Sequence, residues 1–558
     1  MFGCGVKIRC LLVQASSVSS GVEKIRKMNL DSARSESLID VAYDPKLTRE
    51  CGMILVDVLA DHLQRVQAGE TSVQNWRDPE ENIAKATELL GLDPILNRND
   101  VATCFHDLIR VSLERGQNLN HPRCVGHQVP APLPLVGLFD AITTMTNQVQ
   151  GVYEMGPWGI AAERAVIDQV GQQIGYADGE FGGLVTSGGS LGNLTALLAA
   201  RNEACPRIWE SGGGAGPSGA GPSGQASDGD TGQSSPSTDR SPVFIVQDDA
   251  HYCIDRAAGV MGIGTSQVIR VPLDDCRRMD VAALGQVLAR MQVDQVPVIA
   301  VVAVACTTAV GAFDPLDPIA DLCSEYGVWL HVDAAHGGAA CFSRTHRHLV
   351  KGLHRADSVV FDAHKMMFVP AVCALVFYKN RKHRFRAFEQ SAPYLFDPSA
   401  PDMSEYDNGM VTFECTKRSA ALGLWGTFAI FGTQLFEELV DQVFAMAKYL
   451  AGLITESDQF ALFLQPTANI VVFRYLPQGS ESASDQQLSQ LQLRLRREML
   501  ESGFAYLTQT CLDGQIYLRC TIMNPLTDRS HLDQIVSELT RIGPSIWLTL
   551  TQTESAQN

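Results

Sequence analysis

The chain lacks several features that mark whole classes of protein. No apolar run approaches the ~20 residues that a membrane span requires, so the sequence does not predict a membrane protein. Acidic side chains outnumber basic ones by 62 to 44, and the net charge of −18 disfavours nucleic acid and anionic membranes as partners. The 15 cysteines include no C-x-x-C pair and no zinc-ligand spacing. The composition therefore predicts a cytoplasmic protein with reduced thiols and no metal site.

The length and the apolar content indicate a globular protein of several domains. With 558 residues, 45% of them hydrophobic, the chain is several times longer than a usual domain. One tract contains almost nothing apolar, so burial cannot offset the entropy of ordering it. The predicted organisation is a flexible tail over 1–45, a helical segment over 46–125, a large domain over 126–430 with a disordered insertion over 210–241, and a small α+β domain over 431–558.

Two stretches in the second half of the chain carry the strongest chemical signal. Each is apolar and ends in charged residues, Asp333 in VWLHVDAAHGG and His364 with Lys365 in ADSVVFDAHK. Both patterns are typical of buried strands, and ligands bind at the carboxyl ends of strands in open α/β sheets. A structural ion pair is the simpler alternative. Pyridoxal phosphate (PLP) needs both groups, because a lysine holds its aldehyde as a Schiff base and a carboxylate keeps its pyridine nitrogen protonated.

A Gly/Ser turn opens a predicted helix earlier in the chain. The segment 185–193 reads VTSGGSLGN and leads into LTALLAAR. The first N–H groups of a helix have no partner within it, and the helix dipole favours negative charge, so such a turn can hold an anion. The same pattern is also common at ordinary helix starts. If the turn binds a phosphate, we expect Gly189 and Ser190 to supply the contacts.

Together these motifs resemble the group II PLP-dependent amino acid decarboxylases. HVDAAHGG at 331–338 and FSRTHRHLVKGLHRADSVVFDAHKMM at 342–367 are most similar to the glutamate and cysteine sulfinate branch of that family. The resemblance extends roughly from His121 to the C-terminal region. It implies an α/β protein with the PLP-dependent transferase fold of the aspartate aminotransferase class (fold type I), built on a mostly parallel sheet. It also implies a homodimer in which the N-terminal helices pack against the partner.

The resemblance implies a set of cofactor contacts. Lys365 would hold PLP covalently and Asp333 would pair with the pyridine nitrogen. His251, in the segment DAHYCIDRAAG, matches a histidine that lies flat on the cofactor ring in the family. At 304–308 the chain has VACTT in place of the family's Thr-x-Gly-Thr-Thr, and we expect Thr307 to compensate for the lost hydroxyl. The remaining implied contacts are those of Gly189, Ser190 and His364 with the phosphate, and a contact from Ala335.

One tyrosine is implied as a catalytic acid. The segment APYLFDP at 392–398 resembles the mobile catalytic loop of the family, and Tyr394 occupies the matching place. After CO₂ leaves, the substrate Cα must gain a proton, and a phenol on a closing loop can donate it while water is excluded. An ordinary buried aromatic is the alternative interpretation. Lys365, His251 and Tyr394 are therefore the predicted catalytic residues.

Two residues are candidates for substrate binding. Arg519 matches an arginine that grips the substrate α-carboxylate in the family, where the planar guanidinium suits a carboxylate. Glutamate decarboxylases carry Asn-Gln where this chain has Gly126 and His127, so His127 either contacts the substrate or is structural. The predicted reaction is decarboxylation of an acidic L-amino acid such as glutamate, aspartate or cysteine sulfinate. A PLP-dependent aminotransferase or lyase, and a non-catalytic homologue, remain as alternatives.

Overall fold

The computed structural model describes residues 37–91, 98–212, 241–388 and 405–555. They form two compact units. One contains the described residues up to His62 together with Arg77–Arg115, and the other contains Leu63–Trp76 and the chain from Gly116 onward. Most of the predicted tail and insertion lies outside the described residues. Within them, no helix is long and apolar enough to cross a membrane, and each cysteine is a free thiol.

The first unit is helical, as the apolar spacing predicts. Its third helix starts where Asp78 accepts a hydrogen bond from the N–H of Glu80 and Pro79 takes the first helical position. That helix buries none of its own residues, and Ile83 and Leu90 are exposed. The helices that begin in this unit are α1 (Leu38–Ala42), α2 (Pro45–Gln67), α3 (Pro79–Leu90) and α4 (Arg98–Arg115).

A seven-stranded sheet forms the centre of the second unit. Its strand order is β1-β7-β6-β5-β4-β2-β3, and β7 is antiparallel to both of its neighbours whereas the other pairs are parallel. This is the mostly parallel sheet of the predicted fold class. The strands are β1 (Gly182–Thr186), β2 (Val243–Gln247), β3 (Val268–Val271), β4 (Val298–Val304), β5 (Trp329–Asp333), β6 (Ser358–Asp362) and β7 (Ala374–Tyr378).

The central strands are apolar on both faces because helices cover both faces. In β2, Phe244 and Val246 pack into one hydrophobic cluster, whereas Val243 and Ile245 pack into another. Such continuous apolar runs are expected of parallel strands buried on both sides. The helices of this part are α5 (Pro134–Thr146), α6 (Pro157–Ile174), α7 (Gly189–Ala204), α8 (Ile208–Ser211), α9 (Cys253–Val260), α10 (Val281–Val293) and α11 (Leu316–Tyr326).

The C-terminal part has a second, antiparallel sheet in the order β10-β11-β9-β8. It belongs to the same compact unit as the large sheet. In its central strand, Arg519 lies opposite Thr508 on one side and Val472 on the other. Its strands are β8 (Phe460–Leu462), β9 (Ile470–Tyr475), β10 (Thr508–Leu512) and β11 (Gln515–Thr521), and the helices are α12 (Leu422–Phe431), α13 (Gln434–Thr455), α14 (Asp485–Glu501) and α15 (Arg529–Ser555).

Candidate active site

A cavity of about 280 Å³ lies where strands β1, β2, β4, β5 and β6 end. This is the edge at which the strand-end argument places a ligand. Seven of the residues that the sequence singles out line the cavity, and they are Gly189, Ser190, His251, Asp333, Ala335, His364 and Lys365. The structure thus brings these seven residues together in one cavity, and only the resemblance suggests the roles that they would have there.

Lys365 is held by a carboxylate that the sequence analysis did not single out. Its Nζ lies 3.2 Å from Oδ2 of Asp362, the last residue of β6. Burial lowers the pKa of Lys365, but the carboxylates of Asp362 and Asp333 more than offset this effect and the pKa lies above its usual value. Before cofactor binding, the lysine is thus an ammonium group in a buried ion pair.

Asp333 is positioned by a chain of hydrogen bonds. Its Oδ2 accepts from the amide of Asn193 at 3.1 Å, and its Oδ1 accepts from the N–H of Ala335 at 3.1 Å. The Asn193 oxygen lies 2.8 Å from Nε2 of His331, whose Nδ1 lies 2.8 Å from the hydroxyl of Ser358. The carboxylate therefore has a fixed orientation at the end of β5. Asn193 could have been found from the sequence, since it ends the VTSGGSLGN turn.

His251 follows β2 and is fixed by the start of the next helix. The N–H of Cys253 donates to its Nδ1 at 3.3 Å, which leaves Nε2 to carry the proton of the neutral ring. Burial lowers the pKa of His251, although the nearby carboxylates of Asp333 and Asp362 act in the opposite direction. The histidine is therefore a neutral, flat group at the cavity wall, as the stacking role requires.

The turn before α7 has the features of an anion site. Gly188 has a φ of +115°, a conformation that favours glycine, and among the described side chains none caps the helix. A Cβ at Gly189 would lie 2.6 Å from Oδ2 of Asp362, so only glycine allows this close approach. His364 is anchored nearby, with its Nδ1 2.9 Å from the carbonyl oxygen of Cys373. The N-terminus of α7 therefore opens into the cavity beside two ionisable side chains.

The resemblance predicts a cofactor contact from Thr307, but Thr307 is not among the residues that line the cavity. It is fully buried, and its hydroxyl accepts the N–H of Ala312 at 3.0 Å within the turn that follows β4. Thr308 lines the cavity instead, together with Cys306. The hydrogen bonds of this turn determine which of the two adjacent threonines faces the cavity. The sequence pattern does not predict these hydrogen bonds. Tyr394 lies outside the described residues.

Arg519 is a buried cation without a carboxylate partner in the described part of the chain. Its Nη1 lies 3.4 Å from the hydroxyl of Thr508, whereas its Nε and Nη2 are buried and find no acceptor among the described residues. Burial lowers its pKa to about 10, so the group stays charged at neutral pH. The charge acts on the pKa of Cys306 and of His336, both of which line the cavity.

His336 is a cavity residue that the sequence analysis did not single out. Its Nε2 lies 2.8 Å from Oδ1 of Asn469, whose amide group donates to the carbonyl oxygen of Ile522. Nε2 of the histidine therefore carries the proton. Burial and the charges of Lys365 and Arg519 lower the pKa of His336 to about 3, so the ring is neutral. Its pairing partner is 133 residues away, which no local pattern reveals.

His127 lies beside Tyr506, with their ring centroids 5.7 Å apart. Burial lowers the pKa of His127, and the guanidinium groups of Arg519 and Arg496 lower it further. A Cβ at the preceding residue, Gly126, would lie 2.4 Å from the ring of Tyr506. The glycine is therefore required by the aromatic ring that packs against it, and this explains why the chain departs from the Asn-Gln pattern at that position.

Comparison with known proteins agrees with the geometry of the cavity. The pyridoxal-dependent decarboxylase conserved domain matches residues 226–476, which include Asp333, Lys365 and His251. Over these residues the chain is similar to the pyridoxal-dependent decarboxylases. The matched range thus contains the lysine and the carboxylate that line the cavity.

Relatives of this decarboxylase family align along most of the chain. Acidic amino acid decarboxylase GADL1 from Mus musculus is 29% identical over 514 residues, which cover 90% of this chain and 87% of the relative. The aromatic-L-amino-acid decarboxylase of Bacillus atrophaeus is 27% identical and is covered over 96% of its length. The crystal structure of mouse CSAD in apo form has a TM-score of 0.77 at 26% identity and covers 89% of this chain and 98% of its own.

The residues of the cavity fit the cofactor that gives the family its name. A lysine amine and a fixed carboxylate line the same cavity as the glycine turn at α7, where a Cβ at Gly189 would collide with Asp362. One buried oxygen, Oδ1 of Asp362, has no hydrogen-bond partner in the described part of the chain, as expected where a ligand completes a site. Lys365, Asp333, His251 and the α7 turn are the groups that would hold PLP.

Proposed function

We propose that this protein is a PLP-dependent decarboxylase that converts an acidic L-amino acid to the corresponding amine and CO₂. The observation that carries the proposal is that Lys365 and Asp333 line one cavity, in which the charge of Arg519 also lowers the pKa of His336. The name of the relative GADL1, an acidic amino acid decarboxylase, supports the acidic substrate. Glutamate, aspartate and cysteine sulfinate are the candidates.

PLP, when bound, accepts the electron pair of the bond that breaks at the substrate Cα. Asp333 keeps a proton on the pyridine nitrogen, and its two hydrogen bonds with Asn193 and Ala335 hold the carboxylate in place for that role. Lys365 would hold the cofactor through its amine, and His251, a neutral ring at the cavity wall, would shield the bound cofactor from water. Positioning by these residues is the main contribution of the protein to the rate.

Arg519 is the group that we assign to the substrate carboxylate. It is 5% exposed and presents two N–H groups with no acceptor among the described residues. Burial of a guanidinium whose N–H groups have no acceptor lowers the stability of the folded protein. A bound substrate carboxylate would accept these hydrogen bonds and would remove that loss of stability. The planar fork fixes the orientation of the carboxylate as well as its position.

The side chain of the substrate is read by different groups from those of glutamate decarboxylases. His127 stands near Arg519 and Arg496, and its lowered pKa keeps it neutral at pH 7, so it acts as a hydrogen-bond donor or acceptor. The ring of Tyr506 fills the space that an asparagine at Gly126 would need. This arrangement favours binding of the acidic substrate side chain by arginines rather than by side-chain amides.

Tyr394 is proposed to protonate the substrate Cα after CO₂ leaves. The proposal rests on the APYLFDP segment and on the similarity of the chain to the pyridoxal-dependent decarboxylases. If it is correct, Tyr394→Phe releases CO₂ but forms less amine, because oxidative side reactions compete with protonation. Equal amine and CO₂ from this variant would contradict the role.

The decisive experiment is CO₂ release from a panel of L-amino acids by the PLP-loaded protein, with the products identified by mass. Release from one acidic substrate, with its amine as product, supports the proposal. Release from aromatic or basic substrates alone keeps the decarboxylase and overturns the acidic specificity. Keto acids without CO₂ would show an aminotransferase or lyase instead, and a colourless protein that binds no PLP would be a non-catalytic homologue.

We further propose that the protein is a cytoplasmic homodimer. The helical unit leaves apolar side chains such as Met53, Val56 and Ile83 exposed, as expected of a surface that a partner subunit covers. Light scattering on the purified protein should give twice the chain mass of 60.6 kDa. A monomer that is fully active would contradict the dimer proposal.

A further inference from the structure

Asp362 occupies an unusual place for a carboxylate. It is the last residue of β6 and lines the cavity, with its side chain 2% exposed. Its Oδ2 lies 3.2 Å from Nζ of Lys365 and 3.7 Å from Nε2 of His364. Its Oδ1 is equally buried and has no hydrogen-bond partner in the described part of the chain. One oxygen is thus paired with Lys365, and the other has no hydrogen-bond partner among the residues that the structure describes.

The same carboxyl group lies against the N-terminus of α7. A Cβ at Gly189 would come within 2.6 Å of Oδ2 and 2.9 Å of Oδ1, so both oxygens pack on the backbone of the turn assigned to the phosphate. The phosphate of PLP carries close to two negative charges at neutral pH. A carboxylate and a phosphate in contact inside a buried site repel each other, and such pairs avoid the cost by sharing a proton.

We propose that Asp362 binds the cofactor phosphate as a neutral carboxylic acid that donates its proton to a phosphate oxygen. This inference rests on the proposed use of PLP and on the placement of the phosphate at Gly189 and Ser190. In the cofactor-free protein, Asp362 is a carboxylate paired with the ammonium group of Lys365. Cofactor binding takes up one proton at Asp362, and the new O–H bond makes the carboxyl group a donor.

The surroundings of Asp362 favour this proton uptake. Burial raises its pKa, Lys365 and His364 lower it, and Asp333 on the neighbouring strand raises it. Once the Lys365 amine is joined to the cofactor, it is no longer the free ammonium that stabilises the carboxylate. The other titratable groups that respond to the Asp362 charge are His251, Cys253 and Cys373. None of these three supplies a positive charge that would replace the lysine, because the histidine is neutral and burial raises the pKa of both thiols.

The proposal predicts how substitutions rank in PLP affinity. Asp362→Asn keeps a hydrogen-bond donor and removes the negative charge, so it should bind PLP at least as tightly as the native protein at pH 8. Asp362→Ala removes the donor and should weaken binding about 10- to 100-fold, as expected for one hydrogen bond to a charged group. If Asp362 acts only as the ion-pair partner of Lys365, both variants should weaken binding alike.

The direct test is the infrared difference spectrum between the PLP-loaded and the PLP-free protein. We expect loading to produce the carbonyl-stretch band of a protonated carboxylic acid, shifted in D₂O and absent from Asp362→Asn. A native spectrum without this band, or a band that persists in Asp362→Asn, would overturn the proposal. Binding itself is followed by the visible absorbance of PLP on Lys365. Native protein that binds no PLP would refute the proposed function, whereas PLP binding without the band refutes only the role of Asp362.

Discussion

Two lysine–carboxylate pairs in the described part of the chain are buried, and they differ in what else their members contact. Lys417 lies 2.6 Å from Glu163 and also donates to the carbonyl oxygen of Val185, whose N–H donates to the same Glu163 oxygen. Lys365 lies 3.2 Å from Asp362 and faces a cavity. The first pair is closed by hydrogen bonds around the backbone of β1, and its lysine borders a smaller cavity of about 140 Å³. The second pair is open to the larger cavity, which Asp333 and His251 also line. Neither burial nor access to a cavity therefore identifies a functional lysine, but the groups that share its cavity do.

The largest expected effect comes from removing the open lysine. Lys365→Ala should reduce CO₂ release to the background level and abolish the visible absorbance, because the covalent link to PLP is lost. Absorbance spectra and a CO₂ assay measure both effects. Lys417→Met serves as the matched control, since it removes the other buried lysine and should keep the absorbance. CO₂ release by Lys365→Ala would show that Lys365, like Lys417, is not needed for the reaction.

A third buried cation extends the comparison, because Arg519 has no carboxylate at all among the described residues. Arg519→Gln should lower kcat/KM about 30- to 1,000-fold, as expected when one partner of a buried charge pair with the substrate is lost. Steady-state kinetics with the best substrate of the panel gives the value. PLP absorbance should be unchanged in this variant, and a loss of PLP would place Arg519 in cofactor binding instead.

Breaking the closed pair should affect stability rather than chemistry. Lys417→Met leaves the carboxylate of Glu163 buried without its cation, which costs about 3–5 kcal/mol in the free energy of unfolding. Urea unfolding measures this cost, and kcat of the folded fraction should stay near the native value. Adding Glu163→Leu to the variant should recover much of the loss, because no uncompensated charge remains. A double variant as unstable as the single one would contradict this account.

The smallest expected effect, counted per residue, is the loss of stability that two histidines near the cavity cause as the pH falls. Burial lowers the pKa of His331 to about 4 and that of His336 to about 3, below the usual value of about 6.5. Their contribution to stability is therefore complete above pH ~6.5 and is lost as the pH falls towards 4, by up to about 1.4 kcal/mol per pH unit for each group.

Thermal unfolding between pH 7.5 and 5 checks this response. His331→Gln should flatten the dependence of the unfolding temperature on pH, whereas replacement of the exposed His348 by Gln should leave it unchanged. An equally steep decline in His331→Gln would show that other groups cause the acid sensitivity.

The sequence predicts the strands that carry the site better than it predicts the contacts within the site. The two apolar stretches with strand-like patterns form β5 and β6, so that Asp333 ends one strand and Lys365 follows shortly after the other. These features are local, because apolar runs and the charges that end them can be read directly from the chain.

The contacts that the sequence analysis did not find depend on residues far apart in the chain. Asp362 touches Gly189 only because the turn after β1 reaches the end of β6, with β7 between the two strands. Thr307 and Thr308 differ only in the hydrogen bonds of one turn. Local periodicity contains no information on either contact, since both depend on how distant segments pack.

The close fit between Gly126 and Tyr506 has a consequence for how the specificity of this protein can change. A side chain at 126 would meet the aromatic ring at 2.4 Å, so an amide at that position requires the ring to be replaced first. A variant with an amide side chain at 126 therefore needs changes at both Gly126 and Tyr506. Changing Gly126 alone would create a clash with the ring, and replacing Tyr506 alone by a smaller residue would leave a void. Packing, rather than charge, thus keeps residue 126 a glycine for as long as Tyr506 stays in place.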